Sequence, residues 1–519
     1  MKHSIFTKLN AGFCTALLSV LLHTQVFAAK IFIPMDADGQ AAHLKAYGVA
    51  YAALKGGITI DWLLNYKGGS FAMEQLDGIE RMCKLRGVSY EVMSDAEYSG
   101  VVNRVLDPDF NGDVIKLEKA PKIAVYTPLN KLPWDDAVTL VLTYAEIPFD
   151  KVYDDELLKD DLAKYDWLHL HHEDFTGQYG KFWALYKDAA WYRNDCRLTE
   201  QLADKHGYEK VSQMQLAVVK KIRSFVADGG NLFAMCSAAD TYDIALAADG
   251  VDICDTPFDG DIMDSDAQTQ LNYSRCFAFT GFSISQSLYE LEYSSIDNTS
   301  SRLLPEKEDY FNLRSFPARY DPVSSMLTQN HTARIKGFMG QTTAFRNSVL
   351  KPGVIVMGGN NAVNEARYIH GTYKKGAWTF YGGHDPEDYQ HMVGEAPTDL
   401  NLHPSSPGYR LILNNVLCLA SGKKDVAAVD IANAAATPIS SPKLVTISAG
   451  SSSSTLVITL NSQATISQIE RIAFVSAAGK EVLVKQYNAK SVTINMETLP
   501  AGMYDIKVNN VFAGRVVKN

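Results

Sequence analysis

The sequence predicts an α/β body, a parallel sheet covered by helices, followed by a small all-β sandwich. Three observations carry this. From about residue 30 to residue 422, short apolar runs alternate with longer segments of 3.6-residue period, the βα pattern of a sheet buried on both faces. After Lys443 the helical period vanishes and short alternating runs such as TLVITL, RIAFVS and SVTINM take over. The chain has 519 residues, 46% hydrophobic and 21% charged, which at roughly 100–200 residues per domain supports several cores.

In chain order, residues 1–28 read as a signal peptide. Lys2 and Lys8 supply the positive start, Ala11 to Leu22 is the apolar stretch, and Val26-Phe27-Ala28 is a small-x-Ala cleavage site. The stretch is shorter than the ~20 residues a spanning helix needs, and no later segment spans a membrane. A small α/β unit occupies 29–120, with strands at Ile31–Pro34, Ile58–Leu64 and Ser89–Met93 and helices at His43–Leu54 and Gly78–Lys84. A larger α/β unit occupies 121–422. Its strands are Ile123–Tyr126, Asp150–Tyr153, Trp167–His171, Asn231–Met235, Val354–Met357, Ala366–His370 and Trp378–Tyr381. Its helices are Pro133–Tyr144, Val211–Ala227, Thr241–Ala247 and Tyr409–Ala420. An Ala/Thr/Ser-rich linker follows at 423–442, and the sandwich fills 443–519.

Lys+Arg 49 against Asp+Glu 59 gives a net charge of −10, and no basic run offers a footprint for a phosphate backbone, so nucleic acid is excluded as a partner. Seven cysteines, none spaced as CxxC, set no disulfide framework.

One cysteine matters for its position. A helix ending at Gly229-Gly230 leads into the buried strand NLFAM, and Cys236 falls where that strand turns into the next helix. Ala234 and Ala238 flank it, as a sharp elbow requires. At a helix amino end, the dipole and free N–H groups favour a thiolate nucleophile. The base is His384. Tyr368 to Tyr381 reads as a hairpin turning at Lys374–Gly376, and its second strand delivers His384 to the same sheet edge as Cys236. Either Glu387 or Asp385 orients the imidazole, completing a Cys-His-acid set.

His169-Leu-His171-His172-Glu173-Asp174 is the second constellation. On a strand His169 and His171 share a face and His172 takes the other. Three readings stand: a Zn²⁺ site centred on His169 and His171 with His384 or His370, a strand end whose His171, His172, Glu173 and Gly177, with Ser237, shape the pocket and the oxyanion hole, or buried structural histidines. The aromatic run Phe175 to Tyr192 is either a ligand-stacking wall or core. Asp259 to Asp266 is an acidic cluster, either a Ca²⁺ site or a solvated loop, and Gly337 to Thr343 and Gly358 to Asn361 are Gly-bearing turns without nucleotide-binding spacing.

Residues 443–519 resemble the sorting domain of the type IX secretion system of Bacteroidetes. The carriers are the AAGK hairpin Ala477 to Lys480, the LPAGMYDIKV run Leu499 to Val508 and the basic-tipped strand Gly514 to Asn519. The usual YPNP-like opening is missing. The resemblance implies passage across the outer membrane, partnership with the secretion machinery, and a secreted or cell-surface destination.

Residues 121–422, with YDWLHLHHED, the Cys elbow and the hairpin into GGHDPE, resemble the class I glutamine amidotransferase-like superfamily. That resemblance implies a flavodoxin-like parallel sheet with flanking helices and a Cys-His-Glu triad, Cys236, His384 and Glu387. The elbow here is Ala234-Met-Cys236-Ser-Ala238 rather than Gly-x-Cys-x-Gly, and the ending is His384-Asp-Pro-Glu387 rather than His-x-Glu. Residues 30–422 are also similar to Bacteroidetes proteins labelled asparagine synthetase B, yet the amino-terminal cysteine and SGGxDS loop of such an enzyme are missing. The expectation is an exported cysteine-dependent hydrolase acting on C–N amide bonds without a cofactor, on a small-molecule, peptide or glycan substrate. Its rivals are a non-catalytic surface binding protein and a zinc-dependent hydrolase.

Overall fold

The computed structural model describes residues 29–128, 136–302, 304–392, 394–421, 429–430, 439–440, 445–449, 455–460, 468–476, 481–500, 502–509 and 511–518. The signal peptide, most of the linker, the start of the helix expected from Pro133 and the AAGK hairpin tip lie outside the described residues.

The amino-terminal sheet comprises β1 (Ala29–Ile33), β2 (Ile60–Leu64), β3 (Ser70–Glu74), β4 (Glu91–Ser94) and β5 (Asp113–Leu117), in the order β4-β1-β3-β2-β5. Helices α1 (His43–Lys55), α2 (Asp77–Arg86) and α3 (Asp95–Val105) connect them. Every pairing is antiparallel, so the parallel βα arrangement expected for this unit is corrected. The cause is the turn 65–69, where Asn65, Lys67, Gly68 and Gly69 all have positive φ and fold β2 directly back on β3. A turn that short cannot join parallel strands.

The second sheet is mixed. Its parallel strands are β6 (Ile123–Tyr126), β7 (Asp150–Val152), β8 (Trp167–Leu170) and β9 (Asn231–Met235), joined by β15 (Gly376–Tyr381). Antiparallel strands β10 (Tyr310–Leu313), β11 (Arg334–Lys336), β12 (Phe345–Arg346), β13 (Ile355–Asn360) and β14 (Glu365–Tyr373) extend it beyond β15. The path is β11-β10-β13-β14-β15-β9-β8-β6-β7, with β12 on β14. Helices α4 (Ala137–Tyr144), α5 (Asp154–Leu158), α6 (Trp183–Tyr186), α7 (Ala190–Lys205), α8 (Val211–Asp228), α9 (Ser237–Ala247), α10 (Thr256–Asp259), α11 (Ala267–Gln270), α12 (Pro322–Leu327) and α13 (Pro407–Cys418) complete the body.

Alternation along the parallel strands divides the core in two. Ile123, Val125, Trp167, Phe233, Met235 and Tyr381 point to one layer, with α1, α4 and α13. Ala124, Tyr126, Leu168, Leu170, Leu232, Ala234 and Phe380 point to the other, with α8 and α9. This double burial is why these strands read as continuous apolar runs. The first layer also takes Ile31, Trp62 and Phe71, so both sheets share one core. In α1, Gly48 lets the helix cross the end of α4 so closely that a Cβ there would stand 1.9 Å from the carbonyl oxygen of Ala145.

The carboxyl-terminal strands are β16 (Val429–Asp430), β17 (Ile439–Ser440), β18 (Val445–Ala449), β19 (Thr455–Leu460), β20 (Ile469–Ser476), β21 (Glu481–Ala489), β22 (Ser491–Asn495), β23 (Gly502–Val508) and β24 (Val511–Lys518). They form sheets β16-β24-β23-β20-β21 and β17-β18-β19-β22 around a core that includes Ile447, Ile458, Phe474, Ile494, Tyr504 and Ile506. No helix among the described residues is long and apolar enough to cross a membrane.

Candidate functional site

Cys236 is the single residue between β9 and α9, at φ 49° and ψ −138°, a conformation costly for any residue with a Cβ. Ala234, Ala238 and Ala239 around it are fully buried, and the Ala238 N–H donates to the carbonyl of His171 at 3.1 Å, tying the elbow to the end of β8. The Gln341 N–H donates to Sγ at 3.3 Å. Burial pushes the thiol up to about 11, against the opposing pull of the Thr342, Gln341 and Ser237 amides. The lowered pKa expected from the helix amino end is therefore corrected: the amides act in the expected direction, but desolvation outweighs them.

The loop that supplies the Gln341 and Thr342 amides was read in the sequence only as a Gly-bearing turn. A Cβ on Gly340 would stand 3.1 Å from Cys236 Sγ and 2.8 Å from the His384 backbone nitrogen, so the loop packs against the thiol and the main chain entering His384 at a point where no side chain fits. It is pinned by the Thr342 hydroxyl donating to Asp240 at 2.9 Å, by Gln341 Nε2 donating to the Gly180 carbonyl at 2.6 Å, and by the His384 N–H donating to the Met339 carbonyl at 2.9 Å. The only signal for it in the sequence is a glycine flanked by hydrogen-bonding residues, which many turns share.

His384 follows β15 and is 6% exposed. Its ring stacks on His171 at 4.4 Å and on His391 at 5.2 Å. Burial first, then His171, His172 and His391, hold it well below the ordinary range, so it is a neutral imidazole. Glu387 lies 3.2 Å from His403, and Asp385 accepts from the Tyr409 hydroxyl at 2.7 Å and from the Glu387 N–H at 2.9 Å. Ser237 is fully buried at the start of α9. Glu173 accepts from the His171 N–H at 2.7 Å and is raised by burial to about 8. A Cβ on Gly177 would stand 2.8 Å from Ser212 on α8, so this position packs against that helix. In the aromatic run, Phe175 and Tyr192 are core, Phe182, Tyr186 and Trp191 are half-buried and interlocked, Tyr186 and Trp191 at 5.1 Å, and the half-buried Trp183 lies under the Lys187 ammonium at 4.4 Å.

The histidine constellation is a dense buried polar cluster. His169 and His171 share the Trp167 face of β8, as the strand period requires, and both are fully buried. Asp136 caps α4 over them. Its Oδ1 accepts from the Val138 and Thr139 N–H groups at 2.7 Å and 2.9 Å, while its carboxylate stands 3.2 Å from His169 Nε2 and 3.5 Å from His171 Nδ1. Donor atoms of His171, His172 and His384 also lie within 4.8 Å of one another, whereas His370 instead bonds Thr379 at 3.0 Å. Burial holds His172 at about 3. Asp136 and His172 line a cavity of about 450 Å³, with Thr127, Lys151, Asp399 and Asn401, above the carboxyl ends of β6 and β8.

Comparison with known proteins adds one decisive finding. The family described as Secretion system C-terminal sorting domain matches residues 452–518. The chain carries a type IX sorting domain. That domain directs the protein through type IX secretion to the cell surface or the exterior and implies contact with the secretion machinery. No curated protein matches the chain. Among solved structures, a cytoplasmic protein from Salmonella typhimurium is similar at 9% identity and a TM-score of 0.29, over 58% of this chain and 100% of that one. A β-galactosidase from Bacillus circulans is similar at 12% identity and a TM-score of 0.24, over 80% of this chain and 44% of that one. Likenesses this low carry no argument about the body that precedes the sorting domain.

Proposed function

We propose that the exported body is a cysteine-dependent hydrolase acting on C–N amide bonds, with Cys236 as nucleophile and His384 as its proton acceptor. The observation that carries this is the backbone of Cys236: a strained elbow at a strand-to-helix junction, held where glycine would be at ease, is the kind of local cost retained when a side chain must stand at a sheet edge. Further support comes from the parallel strands, which run β7-β6-β8-β9-β15, first-to-last order 2-1-3-4-5, the flavodoxin-like order. Cys236 and His384 follow the carboxyl ends of two neighbours in it, β9 and β15.

Both groups rest neutral, so the thiol proton passes to the imidazole as Sγ bonds to the carbonyl carbon. The carbonyl oxygen becomes an oxyanion met by main-chain N–H groups, of which Thr342, Gln341 and Ser237 are those already turned toward the sulfur. The imidazolium then returns the proton to the departing nitrogen, leaving a thioester that water cleaves. A panel of chromogenic amides tests this. Cys236→Ala is expected to lower kcat/KM at least about 10³-fold, with an acyl adduct mapping to Cys236 in the wild type. Turnover unchanged in Cys236→Ala overturns the proposal.

A further inference from the structure

The elbow thiol leaves the histidine constellation without a task. His169 Nδ1 lies 3.2 Å from the Phe233 carbonyl oxygen, and His171 Nε2 lies 3.0 Å from the His384 carbonyl oxygen. A carbonyl only accepts, so each of these nitrogens carries the hydrogen, and in the neutral form the other nitrogen of each ring presents a lone pair. Those two nitrogens, His169 Nε2 and His171 Nδ1, have no hydrogen-bond partner and turn to one carboxylate, Asp136, in side chains that are fully buried for both histidines. Lone pairs facing a carboxylate in an apolar layer repel unless a proton or a metal ion sits among them.

We propose that Asp136, His169 and His171 bind one divalent transition-metal ion of the Zn²⁺ type, with a coordination position open to the adjoining cavity. The spacing fits. Metal–ligand bonds of roughly 2.0–2.1 Å in a tetrahedron put donor atoms about 3.3 Å apart, and the carboxylate stands 3.2 Å and 3.5 Å from the two nitrogens. The supporting shell is in place: both rings are oriented by backbone carbonyls, and Asp136 is oriented by two amides at the start of α4 through Oδ1, leaving Oδ2 toward His169. Two imidazoles with one carboxylate suit Zn²⁺ and its first-row neighbours rather than Ca²⁺ or Mg²⁺. Asp136 also lines the cavity, so a water or an oxygen donor of a small polar ligand can complete the sphere. The acidic group Asp252, Asp259 and Asp261 differs, because the Lys210 ammonium already lies among its carboxylates at 2.5 Å, 3.0 Å and 2.6 Å.

The test is calorimetric titration of the chelator-stripped mature chain with ZnCl₂. One ion per chain is expected in the wild type, with affinity at least about 100-fold weaker in Asp136→Asn, which keeps the oxygen that caps α4. Long-range ¹H–¹⁵N spectra of the wild type give a readout that needs no variant: Zn²⁺ is to shift Nε2 of one histidine and Nδ1 of another, with hydrogens retained on their opposite nitrogens. Cobalt in place of zinc is to show tetrahedral visible bands without thiolate charge transfer. Failure to bind Zn²⁺, unaltered affinity in a folded Asp136→Asn, an imidazolium resonance in place of metal-shifted nitrogens, or a thiolate band with cobalt each overturns the proposal.

Discussion

Cys236 shows how two forces on one residue are ranked by magnitude. The helix amino end and three amides stabilise a thiolate, but at 3% exposure desolvation is the larger effect and the thiol is raised from 9.0 to about 11. A group raised in the folded state contributes stability that is whole below its unfolded pKa and is lost as pH climbs through the folded one. Between about pH 9 and 11 the unfolded chain has released this proton and the folded chain has not, so stability falls with rising pH. Compared with Cys236→Ser, which does not titrate there, the wild type is expected to lose about 2–3 kcal/mol between pH 8.5 and 11, read from urea midpoints across that range; a flat difference shows that the thiol is not desolvated. The sequence announced the elbow through its small neighbours and strand-to-helix position. It could not announce the burial, which depends on Gly340 and Gln341, over a hundred residues downstream. Asp136 was hidden for a similar reason: it looked like an interior residue of a helix beginning at Pro133, whereas α4 begins at Ala137 and Asp136 is its cap.

At the scale of elements, periodicity reported what each segment is and short turns reported how neighbours pair. The parallel strands β6, β8 and β9 were legible because burial on both faces leaves unbroken apolar runs. Strand β3, helix α3 and strand β5 were not singled out, and with them went the antiparallel order of the first sheet, although the Gly68-Gly69 turn before β3 carried the signal. Packing between elements is a longer-range property still. Gly48 in the middle of α1 reads in isolation as a weak point, since Ala there is worth up to ~1 kcal/mol in helix propensity. The close crossing with α4 reverses that sign. A methyl 1.9 Å from the Ala145 oxygen forces the helices apart, and Gly48→Ala is expected to destabilise the body by about 1–3 kcal/mol net. Thermal unfolding decides it: a rise in Tm means that α1 and α4 do not cross this closely.

For the whole molecule, the two body layers and the sandwich core differ in what they do for the chain. The layers around the mixed sheet draw on residues from Ile31 to Ala420, so the amino-terminal sheet and the larger one stand or fall together. Among the described residues, the sandwich core draws on its own strands, Val445 to Val516. Its strands were readable in the sequence because a two-layer antiparallel fold writes its inner face at every second position, as in Leu456 and Ile458 of β19 and Val492 and Ile494 of β22. Separate cores predict separable roles. Deleting residues 445–518 is expected to leave the calorimetric transition of the body within a few degrees of its position in the full chain, since among the described residues the body's two apolar layers share no member with the sandwich core. The same deletion is expected to abolish type IX export, with the body accumulating in the periplasm of a host that has the machinery. Fractionation followed by immunoblotting reads the second effect and calorimetry the first. A truncated chain that still reaches the surface removes the sorting role from residues 452–518, whereas a body that unfolds on truncation shows that the sandwich contributes to its stability.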